Sequence, residues 1–177
     1  MNKLLIVVDY QNDFVDGSLG FPMAVGLHDK ICEKITAYKA DGQQVVFTLD
    51  THEQDYDKTQ EGRNLPVMHC IRGTYGHDLY GRVQRLSEGC RKFEKGTFGS
   101  DLLFSFLQAD TFKSIELVGL VSNICVISNA ILAKTALPEA QIIVDAACTA
   151  SFDPVLNEKT LDVMEGLQIK VVNRSSE

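Results

Sequence analysis

The sequence lacks most of the features that would take it out of the ordinary globular class. It has no long apolar run. The one in MNKLLIVVDYQNDF is far too short for a signal-peptide core or a membrane span, so a cytoplasmic protein with no membrane partner is expected. It has no CxxC pair, and its five cysteines (32, 70, 90, 125 and 148) are odd in number. Free thiols in a reducing compartment are therefore expected, not a disulfide framework. It has no excess of basic charge: the net charge of −7 argues against nucleic acid as a partner. It has no internal repeat, low-complexity tract or linker. With 177 residues, 45% of them hydrophobic, a single domain over residues 1–177 with a full core is expected.

What the chain does have is alternation. Leu4–Val8 (LLIVV) is a continuous apolar run, the pattern of a strand buried on both faces. Leu27–Ala40 carries Leu27, Ile31, Ile35 and Tyr38 at helical spacing and ends at Asp41-Gly42. Gln44–Leu49 reads as a strand, Asp78–Ser87 as a helix and Arg91–Glu94 as a short strand. Ser100 is positioned to cap a helix over DLLFSFLQ. Ile115–Leu120 is a strand followed by a helix to about Thr135, and Gln141–Val144 is the next strand. Asp153-Pro154 opens a helix over VLNEKTLDVMEG, and Gln168–Val172 is the last strand. This order predicts an α/β fold of three layers, α/β/α, around a central, mainly parallel six-stranded sheet. The long irregular segment, residues 51–76, is expected to be a lid.

In an open parallel sheet, ligands gather at the carboxyl ends of the strands. There the sequence places Asp9, then Asp50 and His52, then Lys95, then Cys125 a turn beyond its strand, and Asp145. Ser122 or Asn123 would cap the helix that follows, leaving Cys125 in its first turn, where the macrodipole favours a thiolate. Two readings stay open at this point: Cys125 is a nucleophile, or it is a buried structural thiol. For the first, Asp9 is the candidate base and Lys95 the electrostatic partner. Asp50 and His52, two apart in extended chain, point to the same side, and His69 in the long loop could close on them. One carboxylate and two imidazoles suit a divalent metal, Zn²⁺ first and Fe²⁺ or Mn²⁺ as alternatives. Three protein ligands leave open positions, as catalytic sites do, and Glu61 is a candidate fourth. Cys70 and Cys148 read as packing, and His28 and His77 as surface.

These residues resemble the isochorismatase-like cysteine hydrolases, and within them the nicotinamidases and pyrazinamidases. The resemblance rests on DYQNDF (Asp9–Phe14) followed by GSLGFP, on TLDTH (Thr48–His52), and on LPVMHCIRGTYG (Leu65–Gly76). It also rests on KGTFGS (Lys95–Ser100) and GLVSNICV (Gly119–Val126). It implies a triad of Asp9, Lys95 and Cys125. It implies a cis peptide between Leu120 and Val121, and an oxyanion hole from the Val121 and Cys125 amides. It implies a metal on Asp50, His52 and His69 that holds a pyridine nitrogen, with Phe14 and Leu19 lining the ring pocket. The sequence departs from the common pattern in having DTH in place of DWH, Leu65 in place of an aromatic, one extra residue before His69, and Ile124 before the nucleophile. These changes suit a less aromatic or differently shaped substrate. The activity implied is hydrolysis of a small carboxamide through a thioester, nicotinamide to nicotinate plus ammonia, by a homo-oligomer. The competing readings are vinyl-ether or carbamoyl hydrolysis within the same superfamily, and a non-catalytic, metal-stabilised binding module.

Overall fold

The apolar runs form one parallel sheet. In the computed structural model, which describes residues 2–174, the strands are β1 (Lys3–Val8), β2 (Gln44–Asp50), β3 (Arg91–Lys95), β4 (Ser114–Leu120), β5 (Gln141–Ala150) and β6 (Lys170–Val172). They lie in the order β3-β2-β1-β4-β5-β6, with every neighbouring pair parallel. Residues 1 and 175–177, the ends of the expected domain, lie outside the described residues. β1 is in the middle of the sheet and apolar from Leu4 to Val8, because both its faces are covered there. Leu4, Ile6 and Val8 pack on Leu103 and Leu107 of α6 (Asp101–Gln108), Ala130 and Ala133 of α7 (Ile127–Ala136), and Met164 of α8 (Pro154–Gly166). Leu5 and Val7 pack on the other side, with Ile31 and Ile35 of α3 (His28–Ala40) and Val83 of α5 (Gly81–Leu86). Each fully buried aliphatic side chain contributes about 1.5–3 kcal/mol relative to exposure.

Two caps fall where the sequence places them. Ser100 Oγ accepts from the Leu103 amide at 3.1 Å, and Asp153 Oδ1 from the Leu156 amide at 3.0 Å. Other boundaries differ. Two short helices, α1 (Asn12–Val15) and α2 (Pro22–Gly26), precede α3, and the long loop contains α4 (Gln60–Asn64). None is long enough to show a helical period. The helix expected from Asp78 begins at Gly81.

The larger correction concerns β5. It does not stop at Val144 but runs on to Ala150, and its register against β4 jumps from Leu117↔Val144 to Gly119↔Thr149. A bulge of small residues keeps the strand going where alternation fails. Asp145 is therefore mid-strand and buried, and does not join the other strand-end residues. Its carboxylate meets Lys34 Nζ at 2.5 Å and Asn173 Nδ2 at 3.0 Å.

Candidate active site

The order of strands reverses at β1, whose successor β2 lies on one side and β4 on the other. That is the switch point where α/β sheets bind ligands. The register sets Val8 beside both Thr48 and Gly119, and Asp50 beside Lys95. The residues just beyond these four strand ends thus share one floor.

At its centre is Lys95, almost fully buried. Its Nζ lies 2.6 Å from Asp9 Oδ2, 3.3 Å from Asp50 Oδ1, 3.6 Å from Cys125 Sγ and 2.9 Å from the Thr97 carbonyl. Asp9 turns the chain at the end of β1 with φ of 44°, a left-handed conformation that aspartate tolerates better than most residues. Its Oδ1 accepts the Thr48 hydroxyl at 2.6 Å. Its Oδ2 pairs with Lys95 by charge but receives no well-directed hydrogen bond, so a lone pair stays free to take a proton. Burial raises the Asp9 carboxyl above the usual carboxylate range, against the lowering pull of Lys95. Burial opposes the charge on Lys95 too, but Asp9, Cys125 and Asp50 together hold it above the ordinary lysine value.

Cys125 departs from expectation in its cap and in the state of its thiol. No side chain caps its helix: Ser122 Oγ donates to Asn157 Oδ1 at 2.6 Å instead. Residues Ser122–Val126 form a π-turn in which the Val121 carbonyl takes the amides of Ile124 and Val126, passing over that of Cys125. The peptide between Leu120 and Val121 is cis, as the resemblance implied. Burial pushes the Cys125 thiol well up, and Asp9 adds to the effect. The macrodipole does not win here, because full burial costs a thiolate more than one loose turn returns. Burial thus favours the thiol form of Cys125.

The second cluster adjoins the first. Asp50 Oδ2 lies 3.0 Å from His52 Nε2 and 3.3 Å from His69 Nε2, and one donor atom from each residue lies within 4.8 Å of the others. His69 Nδ1 sits 2.7 Å from the Val67 carbonyl, which can only accept. Nδ1 therefore carries a hydrogen, and Nε2 faces Asp50, where it meets the carboxylate through a proton or, unprotonated, can ligate a cation. A carboxylate oxygen and imidazole nitrogens converging on one point need a cation or protons between them, so the donor set fits a divalent metal. Burial works against protonating His69, but the Asp50 hydrogen bond outweighs it and raises the imidazole above its ordinary value. Glu61, from α4, stands further off, 3.7 Å from His52 and 4.0 Å from His69. Tyr56 packs both imidazoles, its ring centroid 4.6 Å from His52 and 5.0 Å from His69.

A cavity of about 630 Å³ joins the two clusters, reaching Cys125 and Val121 at one side and Asp50, Glu61 and His69 at the other. Phe14, Leu19, Leu65 and Ile124 line it, and so do Phe98 and Phe152. Those two were missed for different reasons. Phe98 lies inside the KGTFGS stretch, where only the lysine carries evident chemistry. Phe152 follows the end of β5 at Ala150, beyond the end at Val144 that the sequence predicts. Thr48 was missed because an inward hydroxyl in an apolar strand looks like β-branched packing. His77 is buried, not at the surface, with Nε2 2.9 Å from Thr51 Oγ1, and His28 is half-buried against Cys32 at 3.6 Å.

The profile of the isochorismatase domain family matches residues 3–176. The chain is similar to the isochorismatase family protein PncA of Bacillus subtilis (strain 168), with 31% identity over 167 residues, 86% of this chain and 88% of that one. The crystal structure of nicotinamidase/pyrazinamidase PncA from Bacillus subtilis superposes with a TM-score of 0.86 at 31% identity, covering 97% of this chain and 99% of that one. The crystal structure of the pyrazinamidase of Pyrococcus horikoshii in complex with zinc gives 0.85 at 25% identity, covering 98% and 100%. A profile match over nearly the whole sequence, on a fold whose six parallel strands bring these residues to one edge, makes the chain a member of the isochorismatase family.

Proposed function

We propose that this chain is a cysteine amidohydrolase that converts nicotinamide, or a closely related small carboxamide, to the acid and ammonia. The observation that carries the reading is the Lys95 ammonium touching Asp9, Asp50 and Cys125 at the floor of a cavity that also opens on the metal donors. Asp9 Oδ2 takes the Cys125 proton as the sulfur attacks the carboxamide carbon. The amides of Val121 and Cys125 receive the developing oxyanion. Asp9 passes its proton to the departing nitrogen, and ammonia leaves a thioester. Asp9 then deprotonates water, which attacks the thioester and restores the thiol. Lys95 keeps a positive charge beside whichever group is anionic at each step. Phe14, Leu19, Leu65 and Ile124 enclose the ring.

Asp50, His52 and His69, with Glu61 beside them, would hold a divalent metal, zinc in the first instance and Fe²⁺ or Mn²⁺ otherwise, which would supply a Lewis-acid point for a ring nitrogen. The reading includes a cytoplasmic setting, supported by five cysteines that are all free. It includes a homo-oligomer, supported by the exposed apolar side chains of Phe152 and Val155. No helix among the described residues is long and apolar enough to cross a membrane.

The test is ammonia release from nicotinamide, pyrazinamide and carbamoyl compounds, with Cys125→Ala as the blank and metal content measured in parallel. Release from nicotinamide, abolished in Cys125→Ala, together with stoichiometric metal lost in His52→Ala, is the expected result. Release from carbamoyl compounds alone would overturn the substrate. No release from any of them would overturn the activity.

A further inference from the structure

Besides Tyr10, whose hydroxyl donates to the Ala24 carbonyl at 2.7 Å, the Asp9–Phe14 stretch contains Gln11, Asn12 and Asp13, which the reaction above does not use. Their side chains all reach across to the segment that carries the metal donors. Gln11 is fully buried and saturated. Its Nε2 donates to the Asp50 carbonyl at 2.9 Å and the His77 carbonyl at 2.8 Å, and its Oε1 accepts the Asp50 amide at 2.8 Å. Asn12 Nδ2 donates to the Tyr75 carbonyl at 2.6 Å, and its backbone amide to the Asp78 carbonyl at 2.9 Å. Asp13 Oδ2 accepts the Cys70 amide at 2.8 Å. The loop is thus tied at its start, at its end and next to His69.

The tie at Cys70 sits at a special point. Cys70 has φ of 46°, a conformation that a cysteine holds only where its surroundings enforce it. Its amide goes to Asp13, while its carbonyl accepts the His52 amide at 3.0 Å, and the His52 carbonyl accepts the Arg72 amide at 2.9 Å. One residue therefore locks the backbones of both imidazole donors together, and Asp13 holds its other end. The neighbouring Gly76 leaves room for this carboxylate: a Cβ there would overlap the Asp13 side chain.

We propose that Gln11, Asn12 and Asp13 form a clip that sets the metal-binding loop, and that Asp13 is the positioning residue for His69. The inference rests on the reading that Asp50, His52 and His69 hold a metal. The clip acts on affinity by fixing the donors before the metal arrives, so an unclipped loop must be ordered at the expense of binding. Outer partners of metal ligands are worth about 10- to 100-fold in affinity.

The experiment measures zinc affinity of the metal-free full chain by competition with a chelating dye, alongside its thermal melt and the alkylation rate of Cys125. Asp13→Ala is expected to bind zinc about 10- to 100-fold more weakly. Gly76→Ala should do the same from the other side, by displacing the carboxylate while leaving it present. Asp13→Asn keeps an oxygen for the Cys70 amide and should lie close to wild type. Cys125 alkylation should be unchanged in all three, because Asp9 and Lys95 are untouched. Wild-type affinity in a folded Asp13→Ala would overturn the clip and leave the metal reading standing. Should Asp13→Ala fail to fold, wild-type affinity in Gly76→Ala would overturn it equally. No zinc bound by the wild type itself would overturn both.

Discussion

Replacing Thr48 by valine removes one hydroxyl and almost no volume. Thr48 and Asp9 are both fully buried, and the hydroxyl donates to Asp9 Oδ1 at 2.6 Å. Valine keeps the β-branched shape of a strand residue, so no cavity opens and β2 is undisturbed. What is lost is a hydrogen bond to a charged group, worth about 1.5–3 kcal/mol. Burial already raises the Asp9 carboxyl, and the Thr48 hydroxyl is one of the contacts pulling it back. At about 1.36 kcal/mol per pKa unit, its loss moves Asp9 up by a further one to two units. In the proposed reaction Asp9 must be ionised to take the Cys125 proton, so the acidic limb of kcat/KM should move to higher pH by that amount. Below the limb the rate should fall about 10- to 100-fold, each unit being tenfold. Steady-state ammonia release from pH 5 to 9 measures this, and Thr48→Ser, which restores the hydroxyl, should return most of it. An unmoved acidic limb with a rate within twofold of wild type would refute the role given to Asp9.

Lys34 bridges Glu116 Oε1 and Asp145 Oδ2 at 2.5 Å each, so Lys34→Met leaves two buried carboxylates without their cation. Removing one partner of a buried ion pair costs about 3–5 kcal/mol, and the low end applies because Lys34 is partly exposed; urea denaturation measures it. Burial works against the charge on Lys34, but the hydrogen bonds it donates to Asp145 and Glu116 outweigh it and raise its pKa. The stability gap to the variant should therefore be level from pH 6 to 9 and close only above the ordinary lysine value of about 10.4. Gly119 has φ of 110°, and a Cβ there would overlap the Val8 carbonyl of the central strand. Gly119→Ala should cost more than about 4 kcal/mol, read as loss of the cooperative melt, because neither backbone can retreat. Phe152 is 60% exposed at the cavity mouth, so Phe152→Ala should raise KM with kcat within about threefold, and a collapse of kcat would show that it shapes the reacting end.

The parts of this fold that were legible are those where one physical demand dominates. Leu4–Val8 has to be apolar at every position because both sheet faces are covered, and that alone marks the central strand. Asp9, Asp50 and Cys125 stand out because charged or reactive groups follow apolar runs, and Lys95 because it ends the short strand β3. The rest is set by tertiary context. β5 carries Asp145 in its middle, and a sequence pattern has no way to show that Lys34, more than a hundred residues away in the chain, neutralises it. The π-turn at Cys125 and the close approach at Gly119 have no sequence period. Gln11 was silent for the same reason. Its three partners are backbone groups, so their side chains carry no sign of the contact.

Asp50 ties the two halves of the site together through its two oxygens. Oδ2 faces His52 and His69, while Oδ1 faces Lys95. Burial opposes its ionisation, but the imidazole hydrogen bonds and the Lys95 charge outweigh that and hold it well below the usual carboxylate range, so it is an anion. The same negative charge pushes up the thiol of Cys125 and the carboxyl of Asp9. Asp50→Asn and His52→Ala should both lose the metal, but only the first removes a charge. In chelator, with the metal absent from every sample, Asp50→Asn should alkylate Cys125 faster than wild type, by tenfold for each unit the thiol falls. His52→Ala should alkylate at the wild-type rate, since its carboxylate is intact. Equal alkylation rates in the two variants would show that Asp50 serves the metal alone, and that the link through Lys95 does not reach the sulfur.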